Sequence, residues 1–339
     1  MSIAGSWQHA AADQRSETLA NVSTQVTQLA FNVEAERDAI IWYIAAGNDG
    51  RAARLNHHKN PAALGLLQIV DQDFAYTDPW VKAVAHGVAG IGPSYPRPVQ
   101  AVARAVAAKL RVLAGLRNLA LRSQVSASDV LADYTNTVNT LLAFDDQIPL
   151  KSDDPQLTST TRAMTTISRY ENEVATQRAI VMYRLISGTM SPGMLAELTT
   201  SIADQKADNA DFESFATPSQ AVMFGKALAP SLDDRVISDE QVVVQDAQRN
   251  VVVPIVPQDW YGATSDVVAA THKYEETLAQ SAVDRARGLR DRAITYAIVI
   301  GGILLLVLVL SLIFAMFIGR SMTDPPGRRI TTAALSASS

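Results

Sequence analysis

The chain has 339 residues, a net charge of −5, 48% hydrophobic and 6% aromatic residues, and no cysteine. The length allows one large helical domain or two small ones, and this composition favours helices over a β-sandwich or barrel. The missing cysteines exclude disulfides, iron–sulfur clusters and zinc–thiolate sites. The negative charge argues against nucleic acid as the main partner.

The first half of the chain has the apolar periodicity of four helices. In the first, Val22, Val26 and Leu29 begin a stripe that steps by three and four residues, which is typical of a buried helical face. This helix is predicted over residues 13–46, and a Gly-Asn-Asp-Gly turn at residues 47–50 ends it. The other three are predicted over residues 61–85, 99–122 and 126–144.

A polar stretch with two prolines, DDQIPLKSDDP at residues 145–155, separates these helices from a second set. The segment NVVVPIVP, residues 250–257, also has two prolines and is predicted to be an extended connector. The second set of helices is predicted over residues 156–186, 191–216, 218–248 and 259–292. We therefore expect an all-α chain with two up-down four-helix bundles, one over residues 1–146 and one over residues 156–292.

A long uncharged segment follows the second set. Residues 293–319 contain no charged side chain, and Arg292 and Arg320 bracket them. A helix needs about 20 apolar residues to cross a bilayer, so this segment is predicted to be one transmembrane helix. Arginines on both sides leave its orientation open. The N-terminus lacks the regions of a signal peptide, and we expect a preceding span that is missing from this chain.

An internal repeat relates the first helices of the two sets. Residues 33–47, VEAERDAIIWYIAAG, align without gaps with residues 174–188, VATQRAIVMYRLISG. Arg37 meets Arg178 in this alignment. Because both segments belong to the first helix of a four-helix set, the repeat predicts a duplicated bundle.

The two aligned arginines lie on apolar helical faces. A buried guanidinium without a counterion is costly, so Arg37 and Arg178 each need an anion nearby. Arg37 has Glu34, Glu36 and Asp38 within local reach, whereas Arg178 has no acid three or four residues away. A structural salt bridge is one interpretation for both arginines. The other is a small planar oxyanion held by two guanidinium forks between the bundles.

The segment LAFNVEAERDAIIWYIA, residues 29–45, resembles the signature helix of the nitrate- and nitrite-sensing domain, in which a Gln-x-Glu-Arg-Gly pattern occurs. The resemblance covers roughly residues 15–292. It implies two four-helix bundles with the ligand held between them by arginines. Arg37 matches the signature arginine, and Arg178 is its counterpart in the repeat. Asp38 replaces the glycine of the pattern, which adds negative charge near the expected anion site.

The same resemblance implies partners and location. Such domains commonly lie outside the membrane between two spans in actinobacterial sensor histidine kinases of two-component systems. We expect a nitrate or nitrite ligand, a lipid bilayer around the span, a homodimer, and a histidine kinase that is either a separate partner or a missing region. Residues 320–339 resemble the start of a HAMP linker. The chain is thus expected to be a fragment or a shortened gene product.

No catalytic constellation is visible. The five histidines show no i, i+4 pairing, so we expect no metal site, no cofactor and no enzymatic activity. The main hypothesis is a membrane-anchored anion sensor. The alternative is a ligand-independent helical ectodomain that serves dimerisation or partner docking.

Overall fold

The structure, a computed structural model, describes residues 3–46, 61–122, 125–146, 154–249 and 253–323. Within these ranges every regular element is a helix and no strand occurs, which confirms the predicted all-α fold. The helices of the first half are α1 Ile3–Ala45, α2 Pro61–Ala89, α3 Arg97–Leu121 and α4 Ala127–Asp145. Helix α1 begins well before the predicted residue 13, and the predicted turn at residues 47–50 lies outside the described residues.

The helices of the second half are α5 Pro155–Ser187, α6 Pro192–Phe215, α7 Pro218–Ala227, α8 Pro230–Arg249 and α9 Pro257–Thr323. Side-chain caps start several of them: Asp154 accepts from the Leu157 amide at 2.8 Å at the start of α5. Gly188, with φ 72°, ends α5 in the left-handed conformation. The helix predicted over residues 218–248 is instead two helices, because Pro230 interrupts the backbone hydrogen bonds.

Helices α1 to α4 form an antiparallel bundle. Each packs against the next, and α4 packs back against α1. Asp145 at the end of α4 accepts from Ser23 in the first half of α1. Tyr134, nearer the start of α4, donates instead to Glu36 in the second half of α1. The two helices therefore run in opposite directions, as the up-down topology requires.

Helices α5 to α9 form the second set, with the short α7 inserted before α8. Helix α5 packs against α6 and α8. The indole of Trp260, near the start of α9, donates to the Arg178 carbonyl in the second half of α5. Farther along α9, Glu275 accepts from Ser168 in the first half of α5, so α5 and α9 are also antiparallel.

Helices α1 and α5 pack against each other, one from each set. Helix α4 runs antiparallel to α5, because Asn139 meets Asn172 while the later Asp146 meets the earlier Arg169. Since α4 is antiparallel to α1 as well, α1 and α5 are parallel neighbours. Equivalent positions of the repeat, including Arg37 and Arg178, therefore lie at the same height along the two parallel helices.

The chain divides into two compact units, residues 1–282 and 283–339. Both helix sets lie in the first unit. In the second, the 20 residues Ile294–Ile313 have a mean hydropathy of 2.9, and their apolar side chains are exposed in the structure, with Leu304 at 64%. This part of α9 is long and apolar enough to cross a membrane. The predicted linker lies outside the described residues from position 324 onward.

Candidate functional site

Arg37 is fully buried on α1, at the junction with α4 and α5. Its Nη1 donates to Thr176 Oγ1 at 2.9 Å, to Asn172 Oδ1 at 3.3 Å and to Thr135 Oγ1 at 3.4 Å. These acceptors are neutral, so they orient the guanidinium without neutralising its charge. Asn172 and Thr176 are four residues apart and share one face of α5.

The carboxylate of Asp38 lies between the two arginines. Its Oδ2 accepts from Arg178 Nε at 2.7 Å, and its Oδ1 accepts from Arg37 Nε at 3.4 Å. Both arginines and the aspartate are buried. The structure therefore brings Arg37 and Arg178 together around one anionic group, and that group belongs to the chain itself. The acid that Arg178 lacks on its own helix comes from α1.

The arginines keep donor atoms that Asp38 does not use. Arg37 Nη2 is buried and has no hydrogen-bond acceptor among the described residues. Arg178 Nη1 donates to Ser265 Oγ at 3.3 Å, and its guanidinium lies 6.0 Å from the ring centre of Tyr261. A buried charged donor without an acceptor costs about 1–3 kcal/mol or more. This part of the site thus has unused capacity for an acceptor.

Glu34 is also buried beside this cluster. Burial raises the pKa of its carboxyl well above the ordinary value, and the negative charge of Glu171 raises it further. Glu34 therefore tends to be neutral, because a desolvated carboxylate near another carboxylate is costly. In direct contact, two guanidiniums thus share one carboxylate, that of Asp38. A second, external anion would complement the guanidinium that Asp38 contacts less closely.

Glu36, a second local candidate partner of Arg37, belongs to a separate ion pair. Arg117 on α3 donates to both of its carboxylate oxygens, through Nε at 2.8 Å and Nη2 at 2.6 Å, and to Asp78 at 2.6 Å. Tyr134 adds a hydroxyl donor at 2.5 Å. Glu36 is fully buried, and together these contacts join all four helices of the first bundle. Glu36 is therefore not a partner of Arg37.

Sequence reasoning missed the neutral residues of the site. Thr135, Asn172, Thr176 and Ser265 carry no charge pattern and no motif, and only the tertiary packing brings them to the guanidiniums. Asn172 and Thr176 gave the one available signal. They are polar residues at i, i+4 spacing on one face of α5.

Comparison with known proteins agrees with this architecture. The family model described as "Nitrate and nitrite sensing" (NIT) matches residues 28–294. The solved structure of the NasR transcription antiterminator has a TM-score of 0.59 and 17% identity, covering 84% of this chain and 75% of that chain. At this identity the likeness concerns the fold. No curated protein matches the chain. Because the family model covers most of its length, the chain belongs to the nitrate and nitrite sensing family of helical, non-catalytic sensor domains.

Proposed function

We propose that this protein binds nitrate or nitrite between Arg37 and Arg178 and passes the binding signal along α9 to a membrane-anchored output. The observation that carries the proposal is the buried Nη2 of Arg37, which has no acceptor among the described residues. It belongs to a group in which two guanidiniums share one carboxylate, that of Asp38. A planar monovalent oxyanion supplies both the acceptor and a second negative charge.

Asp38 defines how such an anion would be held. Its carboxylate occupies the Nε positions of both arginines. Nη1 of Arg37 and Nη1 of Arg178 donate to neutral side chains, so Nη2 of Arg37 is the donor left for an external ligand. Each charge-assisted hydrogen bond contributes roughly 1.5–3 kcal/mol. After the cost of ordering the ligand, several such bonds give a dissociation constant of order micromolar to millimolar. The Asp38 carboxylate fixes the two guanidiniums, but its negative charge repels the anion. We therefore expect weak binding, with a dissociation constant nearer to millimolar than to micromolar.

Helix α9 is the route for the signal. Ser265 and Trp260 of α9 bond to the side chain and the backbone carbonyl of Arg178, and α9 continues to Thr323 through the apolar segment Ile294–Ile313. A ligand that favours one arrangement of α1 and α5 shifts the population of positions available to α9. The membrane span, an extracytoplasmic location, a homodimer and a histidine kinase output complete the proposal by analogy with the family resemblance.

The ligand-independent interaction module is the second candidate, and the Asp38 bridge favours it. Asp38 already pairs with both arginines, which is what a purely structural ion pair looks like. If the ion pair is purely structural, replacing either arginine lowers the free energy of unfolding, and neither wild type nor variant binds nitrate or nitrite.

Calorimetric titration separates the two functions. The full chain in detergent micelles is titrated with nitrate and nitrite, beside Arg178→Lys and the control Arg169→Lys. Lysine keeps the charge and removes the guanidinium fork. Arg169 is a matched control, because it lies on the same helix in a half-exposed pair with Asp146. Saturable binding that weakens at least about 10-fold in Arg178→Lys alone supports the sensor. A folded protein without saturable binding points to the interaction module.

A further inference from the structure

A second polar cluster lies between α5 and α9, apart from the arginine pair. It consists of Glu171 on α5 and of His272 and Glu275 on α9. Both glutamates are buried and the histidine is half-buried. One potential ligand atom from each residue lies within 4.8 Å of the others. The nitrate-sensing role proposed above assigns none of these three side chains to binding the anion.

We propose that Glu171, His272 and Glu275 form a binding site for a divalent transition-metal ion of the zinc class. Imidazole nitrogen and carboxylate oxygen are ligands that Zn²⁺ accepts in three-ligand sites, with a fourth position left for water.

The distances within the cluster fit coordination better than hydrogen bonding. His272 Nδ1 lies 3.4 Å from Glu171 Oε1 and 3.5 Å from Glu275 Oε2. Nδ1 is nevertheless buried without an acceptor in hydrogen-bonding geometry among the described residues. Two ligands of a tetrahedral zinc ion, each about 2.0–2.1 Å from the metal, lie about 3.3–3.4 Å apart. Both distances from Nδ1 are thus close to the distance between two ligand atoms of a tetrahedral zinc ion, and all three atoms lie within 4.8 Å of one another.

The cluster contains buried polar atoms without hydrogen-bond partners among the described residues. Glu171 is more than nine-tenths buried, and its Oε2 has no hydrogen-bond donor among the described residues. Glu171 and Glu275 place two buried carboxyl groups beside one imidazole. A divalent cation bound to a neutral imidazole and two carboxylates gives a neutral group, which removes the cost of the buried charge.

Neighbouring side chains hold the three ligands in place. The Phe31 ring stacks on the imidazole of His272, with ring centres 4.2 Å apart and planes 21° apart. Ser168 donates a hydrogen bond to Oε1 of Glu275, which leaves Oε2 on the side of His272. Such outer contacts fix the orientation of metal ligands. An ion here would clamp α9 to α5 two helical turns from Arg178.

The test is a calorimetric titration of the full chain in detergent micelles with Zn²⁺, after removal of bound metal by chelator and dialysis. Wild type is compared with His272→Gln and Glu275→Gln. The matched controls are Glu276→Gln, an exposed neighbour on α9, and His86→Gln, a histidine on α2. Far-UV circular dichroism establishes that each variant is folded. Visible absorption of the Co²⁺-loaded protein provides a second readout, because tetrahedral Co²⁺ absorbs strongly and hydrated Co²⁺ does not.

We expect one saturable zinc site per chain, with proton release on binding because the histidine must be neutral. The dissociation constant should rise at least about 100-fold in His272→Gln and in Glu275→Gln, and the tetrahedral Co²⁺ bands should disappear in both. The controls should bind like wild type. The proposal is overturned if wild type shows no saturable zinc binding. It is equally overturned if folded Glu275→Gln keeps the wild-type affinity and spectrum.

Discussion

Asp38 on α1 and Arg178 on α5 form a buried ion pair of 2.7 Å that joins the two helical sets. The same carboxylate lies 3.4 Å from Nε of Arg37, so one aspartate holds two equivalent arginines of the repeat. The pair fixes the relative position of α1 and α5 at the level where the anion site is proposed. A signal that starts at this site must therefore change the Asp38–Arg178 contact or be opposed by it.

Replacing Asp38 by Asn should lower stability and strengthen the response to nitrate. The variant leaves two buried guanidiniums without their shared carboxylate, so we expect a loss of about 3 kcal/mol in the free energy of unfolding. Nitrate then supplies the missing charge. Urea unfolding of the full chain in micelles, with and without nitrate, should show a larger stabilisation by nitrate in the variant than in wild type.

Asp146→Asn is the control for this change. Asp146 forms a half-exposed pair with Arg169, and its loss should alter stability by about 0.5 kcal/mol or less. Equal stabilisation of wild type and Asp38→Asn by nitrate would show that Asp38 does not share a site with the ligand.

Glu36→Gln should destabilise the first bundle without changing the nitrate affinity. The substitution breaks the bidentate pair between the fully buried Glu36 and the half-buried Arg117, which should cost about 2–3 kcal/mol because Arg117 keeps some exposure and its contact with Asp78. Tyr134→Phe removes only one donor from the same carboxylate and should cost about 1.5 kcal/mol. Chemical denaturation measures both losses. Nitrate titration of the folded variants should give dissociation constants equal to wild type, and a large change would place Glu36 within the site.

Asp145 should make the protein less stable at higher pH. Burial raises the pKa of its carboxyl from 3.8 to about 7, although the hydrogen bond from Ser23 lowers it. The folded state therefore binds the proton more tightly than the unfolded state. Its stabilising contribution is complete below about pH 4 and is lost as the pH rises to about 7.

Between pH 5 and pH 8 wild type should lose about 2–3 kcal/mol more in the free energy of unfolding than Asp145→Asn, which cannot ionise. Urea unfolding at the two pH values measures this difference. Burial also raises the pKa values of Glu171 and Glu173 to about 7. Both groups titrate in wild type and in the variant, so their contributions to the change in the free energy of unfolding cancel. Parallel pH profiles for the two proteins would count against a buried, ionising Asp145.

Two glycine substitutions should change stability in opposite directions. Gly188 ends α5 with φ 72°, and alanine there should cost about 1 kcal/mol because a side chain disfavours the left-handed conformation. Gly115 lies inside α3, and a methyl group there would meet nothing within 4 Å. Alanine at this position should add about 0.5–1 kcal/mol. Thermal denaturation that ranks the two variants in the reverse order would contradict these helix boundaries.

Most helices could be predicted from the sequence because their boundaries rest on local chemistry. Ser191 and Asp154 cap helices in the way their residue types suggest, and Gly188 adopts the conformation that only glycine takes readily. The helix boundary at Pro230 was missed. A proline can begin a helix or end one, and the choice depends on packing that the local sequence does not contain.

The arginine pair could be predicted because the repeat and the apolar stripe are both sequence patterns. Asp38, which bridges the pair, was predicted as a possible local partner of Arg37 and as a departure from the family signature. The sequence does not show that Asp38 reaches across to Arg178 on α5. Glu171 lies about 100 positions from His272 in the chain. No spacing rule connects them, and only the antiparallel packing of α5 and α9 brings them together.

A double-mutant cycle of nitrate affinity tests the central claim most directly. The full chain, Arg37→Lys, Arg178→Lys and the double variant are each titrated with nitrate. If both guanidiniums bind one ion, the losses of nitrate-binding free energy in the two single variants should add up to at least about 1 kcal/mol more than the loss in the double variant. Equal affinity in all four folded proteins, or no saturable binding in wild type, would contradict an anion site between Arg37 and Arg178.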